Sequence, residues 1–315
     1  MLHVFGAMDR GGAETRTLEL MRRLDRTQVT FDFCVLSGRP GAYAAEIARF
    51  GGRILPCALP HQLGRLPGLL QDGAWDVVHS HVHHFSGVVL LAARYAGIRR
   101  RVAHLRTSDT GQPQSSGRRA YERAMRRLID ATATTVLAVS EAAMQSFYGD
   151  DWRRDARRIV LYNGIDAARF ATPVDRAAVR RTLGVAPEQH LLLHVGNFHP
   201  AKNHLGLIAT AARLAATDVP FVLALVGDGP ARASIEALVR THGLGRHVRL
   251  LGARDDVAAL LGATDCFVFP SRWEGLPGAI LEALAAGVPV VASAIPPVEE
   301  IARQTTGVAC VDPDD

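Results

Sequence analysis

The sequence has 315 residues, 48% of them hydrophobic, and is long enough to bury the cores of two α/β domains of ordinary size. Its 36 basic and 31 acidic residues give a net charge of +5, which favours anionic partners such as nucleotides, phosphates or membrane surfaces and does not indicate nucleic-acid binding. The four cysteines lack metal-binding spacing, and no apolar stretch resembles a signal peptide or a membrane span. We therefore expect a cytoplasmic protein with free thiols.

Short apolar strands alternate with helices along the first half of the chain. Strands separated by helices of this length predict a parallel sheet with right-handed crossovers. The loop after the first strand contains Gly11 and Gly12, as in the opening of a Rossmann-like unit, but the dinucleotide fingerprint G-x-G-x-x-G is absent. The predicted strands are 2–6, 30–36, 53–56, 76–79, 101–105 and 135–139, and the predicted helices are 13–24, 42–50, 86–96 and 118–131.

Histidines follow two of these strands, at the end where open α/β sheets bind ligands. The run VHSHVHH contains His79, His81, His83 and His84, and VAHLRTS contains His104. Zinc would need a defined tetrahedral set, and no acidic or cysteine ligand stands nearby, so polar lining of a ligand cleft is favoured over a metal site. Imidazoles satisfied within the core are the alternative interpretation.

The segment 106–117 is polar and rich in Gly and Ser, and is predicted to be a mobile loop. The helix after it has a basic face and an apolar stripe. Such a helix can lie on an anionic membrane, or its charged face can simply be solvated. The basic residues are Arg118, Arg119, Arg123, Arg126 and Arg127, and the stripe is Ala120, Tyr121, Ala124 and Leu128.

A second alternating series begins after Thr172-Pro173, within a predicted linker at 170–175. The change from one series to the next predicts two domains, 1–170 and 171–315. A strand at 159–162 closes the first series, and a short helix at 176–183 opens the second. The further predicted strands are 190–196, 221–227, 248–252, 266–269 and 288–292, and the further helices are 205–216, 254–261 and 279–286.

Two loops of the second series contain further candidate residues. Lys202 lies in NFHPAKN, after the strand at 190–196, where a cation suits a diphosphate; an ordinary surface lysine is the alternative. Gly227 and Asp228 lie in GDGP after the next strand, which also reads as a turn before a helix.

The stretch 265–293 reads as strand, turn, helix and strand, with Pro277 suited to the first helical position. The free N–H groups near Gly275 and Leu276, together with the helix dipole, predict an anion site. Glu274 and Glu282 flank it, and sugar hydroxyls would be good partners for carboxylates in such apolar surroundings. A helix cap and a salt bridge are the alternative interpretation.

The spacing Glu274-x7-Glu282, within PSRWEGLPGAILEALAAGVPVVAS, resembles the E-x7-E signature of retaining GT-B glycosyltransferases of family 4. The resemblance covers nearly the whole chain, because GGAE (11–14), NGID (163–166) and GDGP (227–230) are similar to other loops of the family. It implies two Rossmann-like domains facing across a cleft. It also implies transfer of a sugar from a UDP- or GDP-linked donor to an acceptor hydroxyl with retained configuration, in cell-surface polysaccharide or glycolipid synthesis.

The resemblance also implies roles for single residues. Lys202 and the amides of Gly275 and Leu276 would bind the diphosphate, Glu274 would orient the sugar, and Glu282 would hold the ribose. His104 and His81 would lie on the acceptor side, so the catalytic candidates are Lys202, Glu274 and His104. The remaining donor-side candidates, from loops similar to those of the family, are Gly12, Asn197, Gly227 and Asp228.

The chain also departs from the family pattern. Asn197 stands where the family has Arg, and loss of a charged stabiliser can cost on the order of a hundredfold in rate. Relatives continue with helices beyond the last residue here, so the second domain is expected to be incomplete at its C-terminal end. A nucleotide-sugar epimerase or hydrolase of the same fold, and a nucleotide-binding fragment with weak catalysis, are the alternatives.

The expected partners follow from the same resemblance. The nucleotide sugar is a substrate, and no further cofactor is expected. No Asp-x-Asp metal motif stands at a suitable strand end, as in family members that need no metal. The acceptor is expected to be a sugar or a lipid-linked sugar, which would place the protein at the inner membrane face as a peripheral protein.

Overall fold

The computed structural model describes residues 1–108 and 115–313. Its contacts divide the chain into two units, Met1–Asn163 and Gly164–Asp315, whereas the sequence analysis places the boundary after residue 170. Residues 109–114 of the predicted loop, and the final two residues of the chain end, lie outside the described residues.

The first unit is built on a parallel sheet that has seven strands among the described residues, in the order β3-β2-β1-β4-β5-β6-β7. Its strands are β1 (Leu2–Phe5), β2 (Asp32–Val35), β3 (Ile54–Pro56), β4 (Val77–Ser80), β5 (Arg100–Leu105), β6 (Thr135–Ala138) and β7 (Arg158–Val160). Its helices are α1 (Gly12–Arg23), α2 (Ala44–Arg49), α3 (Leu66–Asp72), α4 (Ser86–Tyr95), α5 (Ser116–Thr132) and α6 (Glu141–Tyr148).

Strand β1 is central to this sheet and is buried on both faces. Leu2, Val4 and Phe5 are almost fully buried, as expected for a strand covered by helices on both sides. His3 lies in the same strand, opposite Phe33 of β2 on one side and His79 of β4 on the other. The sheet therefore places two imidazoles next to each other.

The second unit is built on a parallel sheet with six strands among the described residues, in the order β10-β9-β8-β11-β12-β13. Its strands are β8 (His190–Val195), β9 (Phe221–Val226), β10 (Val248–Gly252), β11 (Cys266–Phe269), β12 (Val290–Ser293) and β13 (Val308–Val311). Its helices are α7 (Ala167–Phe170), α8 (Arg176–Thr182), α9 (His204–Ala215), α10 (Arg232–Thr241), α11 (Val257–Ala263), α12 (Gly278–Ala285) and α13 (Pro296–Gln304).

Two apolar clusters pack on the faces of this second sheet. One includes Leu193, Phe267 and Ile280, and the other includes Phe198, Phe221 and Ile235. Every residue of β9 is buried, which is typical of a central strand in a sheet with two covered faces. The prediction of an α/β protein with two Rossmann-like parallel sheets is confirmed.

The predicted apolar stripe of the basic helix α5 lies in two environments. Leu128 packs closely against Gly87 of α4, whereas Ala120, Tyr121 and Ala124 are exposed beside the arginines. Contact between the exposed face and an anionic membrane stays a prediction, which co-sedimentation with anionic but not neutral vesicles would test.

The sequence analysis expected free thiols and no membrane-spanning helix. Cys34 and Cys57 are free and buried, whereas Cys310 is free and exposed. Within the described residues, no helix combines the length and the apolar character needed to cross a membrane.

Candidate functional site

The second sheet changes direction between β8 and β11. The chain runs from β8 outward to β9 and β10, then returns to add β11 on the other side of β8. Loops that leave two adjacent strands in opposite directions open a crevice at the carboxyl edge, where ligands of open α/β sheets bind. The loops at this point contain Lys202, which follows β8, and Glu274, which follows β11.

Lys202 is held by its local structure. It ends a short 3₁₀ helix, Pro200–Lys202, and the next residue, Asn203, has left-handed backbone angles and accepts a hydrogen bond from Gly206 N as the cap of α9. The side chain of Lys202 lies against Gly196, and Nζ lies 4.9 Å from the centre of the Phe269 ring. A lysine placed in this way is not an ordinary surface lysine.

Nζ of Lys202 contacts Oε1 of Glu274 at 2.5 Å. The two side chains are only 21% and 14% exposed, so this ion pair is shielded from water to a considerable degree. The structure thus joins two candidate residues that lie 72 positions apart in the chain. The structure therefore shows the carboxylate of Glu274 paired with a cation.

Backbone hydrogen bonds connect the loops around this ion pair. Arg272 N donates to Ala201 O (2.8 Å), which ties the loop after β11 to the loop after β8. Phe198 N donates to Asp228 O (2.9 Å), which ties the loop after β8 to the loop after β9. The carboxylate of Asp228 accepts from Gly229 N of its own loop at 2.8 Å. Movement of one loop is therefore opposed by its neighbours.

Gly227 allows the close approach of two of these loops. Its φ is +140°, and a Cβ at this position would lie 2.0 Å from the carbonyl oxygen of Gly196. Only glycine fits there. Asn197 directly follows Gly196, and its side chain is exposed at the same edge.

The residues of the anion site predicted at the start of α12 lie in the loop that carries Glu274. The helix begins at Gly278 with Pro277 as its N-cap, so Pro277 stands one position earlier than predicted. Gly275 is buried and Leu276 half-buried just before this N-terminus, and Glu282 lies half-buried within the helix. A helix N-terminus favours an anion beside it.

Two imidazoles missed by the sequence analysis lie behind Lys202. His194 Nδ1–H donates to Val268 O at 2.9 Å, and the rings of His194 and His204 meet edge to face at 4.9 Å. Burial, with a smaller contribution from the charge of His204, lowers the pKa of His194 to about 3. Burial followed by the charge of Lys202 lowers the pKa of His204 to about 4. Both rings are therefore neutral near pH 7.

The first sheet has its own change of direction between β1 and β4, and histidines cluster there. His3 Nδ1 lies 3.0 Å from His81 Nε2, and His79 Nε2 lies 3.0 Å from His104 Nδ1. The structure thus brings together the predicted His81 and His104. It adds His3, which the sequence analysis assigned only to a buried strand.

His83 and His84 do not belong to this cluster. They form a short 3₁₀ helix with Phe85 and pack on the ring of Phe147. The predicted histidine run is therefore divided between two environments.

Arg106 fixes the hydrogen-bond directions within the cluster. Its Nε–H donates to His81 Nδ1 (3.2 Å), and its Nη1–H donates to Asn163 Oδ1 (2.8 Å). Because a guanidinium only donates, His81 must carry its proton on Nε2 and donate to His3. Both ring nitrogens of His81 are then used inside the protein.

His104 differs from His81 in this respect. Its side chain is 3% exposed, and Nε2 has no hydrogen-bond partner among the described residues. Buried polar atoms are normally satisfied, so this nitrogen is a candidate for contact with a ligand.

Burial lowers the pKa of each of these four histidines, and the charge of Arg106 lowers it further. The pKa of His79 falls to about 3, and those of His3, His81 and His104 fall well below the usual value. Burial also lowers the pKa of Arg106 to about 10, and it raises the pKa of the Glu14 carboxyl, which faces Arg106. At neutral pH the cluster has four neutral rings beside one guanidinium.

Within the described residues, His3, His79 and His81 could offer a metal ion three nitrogens that lie within 4.8 Å of one another. A metal there would have to replace the hydrogen bonds from His81 to His3 and from His79 to His104. It would also lie close to the charge of Arg106. The donor set therefore fits a hydrogen-bonded cluster better than a cation site.

Gly12 is the donor-side candidate from the first half of the chain. It is exposed at the first position of α1. The remaining donor-side candidates all lie in the second unit.

Two family models match this chain, one over each of the two units. The family model for glycosyltransferase family 4 matches residues 10–169, and the model for glycosyl transferases group 1 matches residues 175–315. EpsF of Bacillus subtilis, named as a glycosyltransferase, is 35% identical over 302 residues, which cover 93% of this chain and 78% of EpsF. The capsular polysaccharide biosynthesis glycosyltransferase CapH of Staphylococcus aureus is 27% identical over 294 residues, which cover 90% of this chain and 78% of CapH.

Among solved structures, Anabaena Alr3699/HepE in complex with UDP and glucose matches with a TM-score of 0.79. The match covers 95% of this chain and 82% of that chain, at 22% sequence identity. At this identity the likeness concerns the fold.

Proposed function

Because the chain belongs to glycosyltransferase family 4, we propose that it moves a sugar from a nucleotide-diphosphate sugar to an acceptor hydroxyl with retained anomeric configuration. The observation that carries this proposal is the pairing of Lys202 with Glu274 at the point where the second sheet changes direction. A cation for the diphosphate and a carboxylate for sugar hydroxyls stand together where α/β sheets bind ligands.

The donor would be bound by the loops that the backbone hydrogen bonds connect. Lys202 and the amides of Gly275 and Leu276 would hold the diphosphate. Glu274 would orient the sugar, and Glu282 would hold the ribose. Gly227 and Asp228 would line the nucleotide pocket, and Asn197 would be a neutral hydrogen-bond donor to the diphosphate in place of the family arginine. Gly12 is the donor-side candidate of the first unit.

Retention is proposed to follow a front-face route. The bond from the anomeric carbon to the diphosphate oxygen breaks, the bond to the acceptor oxygen forms on the same face, and the acceptor proton passes to the leaving phosphate oxygen. The cation and amides at the diphosphate would stabilise the charge that develops there. Mass spectrometry of protein quenched during turnover tests this step, because a covalent glycosyl-protein adduct would contradict it.

The acceptor would be recognised by the first unit through His104, and His81 would position the cluster because both of its nitrogens are already bonded. The name of CapH concerns a capsular polysaccharide, and this supports an acceptor in cell-surface polysaccharide or glycolipid synthesis. A sugar or a lipid-linked sugar fits that class.

The function is tested with purified protein and a panel of UDP- and GDP-linked sugars, by thermal shift and by release of nucleoside diphosphate with and without acceptor sugars. HepE was solved with UDP, so UDP-glucose is the first donor to try. Acceptor-dependent release is expected. Release without any acceptor would favour an epimerase or hydrolase, and binding without release would favour a nucleotide-binding fragment. Absence of any nucleotide binding would contradict all three.

Replacing His104 by alanine is expected to lower transfer about tenfold, because an acceptor would lose one hydrogen bond in a buried site. The affinity for UDP should stay unchanged, since the proposed donor residues near Lys202 lie in the other unit. Initial rates at varied acceptor, and calorimetry with UDP, provide the two measurements. An equal loss of UDP affinity and transfer would point to a structural role for His104.

A further inference from the structure

The ion pair between Lys202 and Glu274 joins two residues to which the proposed function gives different tasks. Lys202 is to hold the diphosphate, and Glu274 is to hold hydroxyls of the sugar. In the structure Nζ of Lys202 and Oε1 of Glu274 lie 2.5 Å apart, and this ion pair is largely shielded from water. A diphosphate therefore enters a site whose cation already has an anionic partner.

Lys202 has little freedom to leave this position. A Cβ at Gly196 would lie 3.2 Å from Lys202 Cδ and 3.1 Å from His194 Nε2, so the lysine stem passes close over the backbone and an imidazole. Nζ stands near the ring of Phe269, and the 3₁₀ helix of Lys202 is joined to the Glu274 loop through Arg272 N and Ala201 O. A ligand that pairs with this ammonium group must therefore meet it close to its present position, beside the carboxylate of Glu274.

We propose that Glu274 occupies the diphosphate site of the donor-free protein, and that donor binding is an exchange of partners. The inference rests on the proposed function. The diphosphate takes the ammonium group of Lys202, and the released carboxylate of Glu274 takes the hydroxyls of the donor sugar.

The exchange distinguishes a complete donor from a bare nucleoside diphosphate. UDP displaces Glu274 from Lys202 and offers it no sugar hydroxyl in exchange, so the carboxylate loses the cation with which it pairs in a shielded site. A UDP-sugar offers hydroxyl donors to the same carboxylate. Once the sugar has been transferred, Glu274 returns to Lys202 and opposes the diphosphate that remains. Glu274 is thus a specificity residue that also promotes product release.

The test is a double-mutant cycle on UDP binding, measured by calorimetry with the wild type, Glu274→Gln, Lys202→Gln and the double variant. Glu274→Gln keeps the shape and removes the charge, and it is expected to bind UDP about tenfold more tightly than the wild type. In the Lys202→Gln background the same change should alter UDP affinity by less than about twofold. Transfer from UDP-glucose should fall in Glu274→Gln, so affinity for UDP and activity move in opposite directions.

Lys202 also allows a direct readout, because it is the only lysine in the sequence. Acylation by a small anhydride, followed by peptide mass spectrometry, reports the reactivity of its amine. Lys202 should react faster in Glu274→Gln than in the wild type, and UDP should protect it in both proteins.

The outcomes separate this inference from the proposed function. Equal UDP affinity in the wild type and Glu274→Gln overturns the inference, and so does an equal gain in the Lys202→Gln background, which would reflect simple removal of charge. Failure of UDP and GDP to bind any of the four proteins overturns the proposed function as well. If Glu274→Gln shows no cooperative thermal unfolding and is therefore not folded, Glu274→Asp takes its place. It keeps the charge but draws the carboxylate away from Nζ, and should also bind UDP more tightly than the wild type.

Discussion

Replacing Lys202 by glutamine is expected to lower sugar transfer by about a hundredfold or more. The leaving diphosphate gains negative charge in the transition state, and a positioned cation stabilises that charge more than it stabilises the ground state. Lys202 is the only one of the proposed donor-side residues with a positive charge, since Asn197 stands where the family has arginine. The initial rate of UDP release at saturating acceptor measures the effect.

Lys202→Arg is the matched control. It keeps the charge, but a planar guanidinium is a poor fit beside Gly196 and Phe269, so an intermediate loss is expected. Asn197 is exposed at the same edge, and Asn197→Arg in the Lys202→Gln background should restore part of the rate if charge is what is missing. A Lys202→Gln protein that folds and retains more than about a tenth of the activity would show that the diphosphate is stabilised elsewhere.

The pairing of Lys202 with Glu274 illustrates what sequence reasoning could not reach. Each residue was predicted from its local pattern, as a cation after one strand and a carboxylate in a later turn. Their contact depends on β8 and β11 being neighbours, although β9 and β10 lie between them in sequence. Strand order is a non-local property, and hydrophobic periodicity contains no information about it.

His3 was missed for a related reason. A single histidine inside a short apolar strand reads as a core residue, and its partner His81 lies 78 positions away. A possible signal was the side-chain alternation of extended chain, which puts His79 of β4 and His81, just after β4, on the same face. The strand that would lie beside that face was still unknown from sequence.

Most strands and several helices were predicted closely, whereas α3, α6, α13 and β13 were not predicted. Pro67 and Gly68 lie within α3, and two prolines open α13, where the first positions of a helix tolerate them. β13 is a largely exposed edge strand that lacks the alternation of a half-buried strand. Tertiary packing decides these elements more than local propensity does.

Acidification is expected to destabilise the first unit steeply below about pH 6.5. His3, His79, His81 and His104 are held neutral in the folded state by burial and by Arg106, whereas an unfolded chain has ordinary histidines with a pKa near 6.5. Below that pH the unfolded state binds more protons than the folded state, so the free energy of unfolding falls. For His79 the loss continues until the pH reaches its folded pKa of about 3.

The expected size is large. A histidine that stays neutral in the folded state lowers the free energy of unfolding by roughly 1 kcal/mol at pH 5.5, so four of them lower it by several kcal/mol, against a typical domain stability of about 5–15 kcal/mol. The second unit has two such residues, His194 and His204, so it should lose about half as much and unfold at lower pH. Glu14 acts in the opposite direction, because burial raises the pKa of its carboxyl and it gains a proton more readily when folded.

Denaturant unfolding between pH 7.5 and 5, followed by circular dichroism, measures this dependence. His79→Gln should reduce the slope of stability against pH by about one proton, because it removes one group that titrates only on unfolding. His242→Asn, at an exposed position, is the control for replacing a histidine as such. A stability that stays flat from pH 7.5 to 5.5 would mean that the cluster accepts protons while folded. In that case Arg106 would not hold these rings neutral, and the hydrogen-bond directions assigned to His81 and His3 would be wrong.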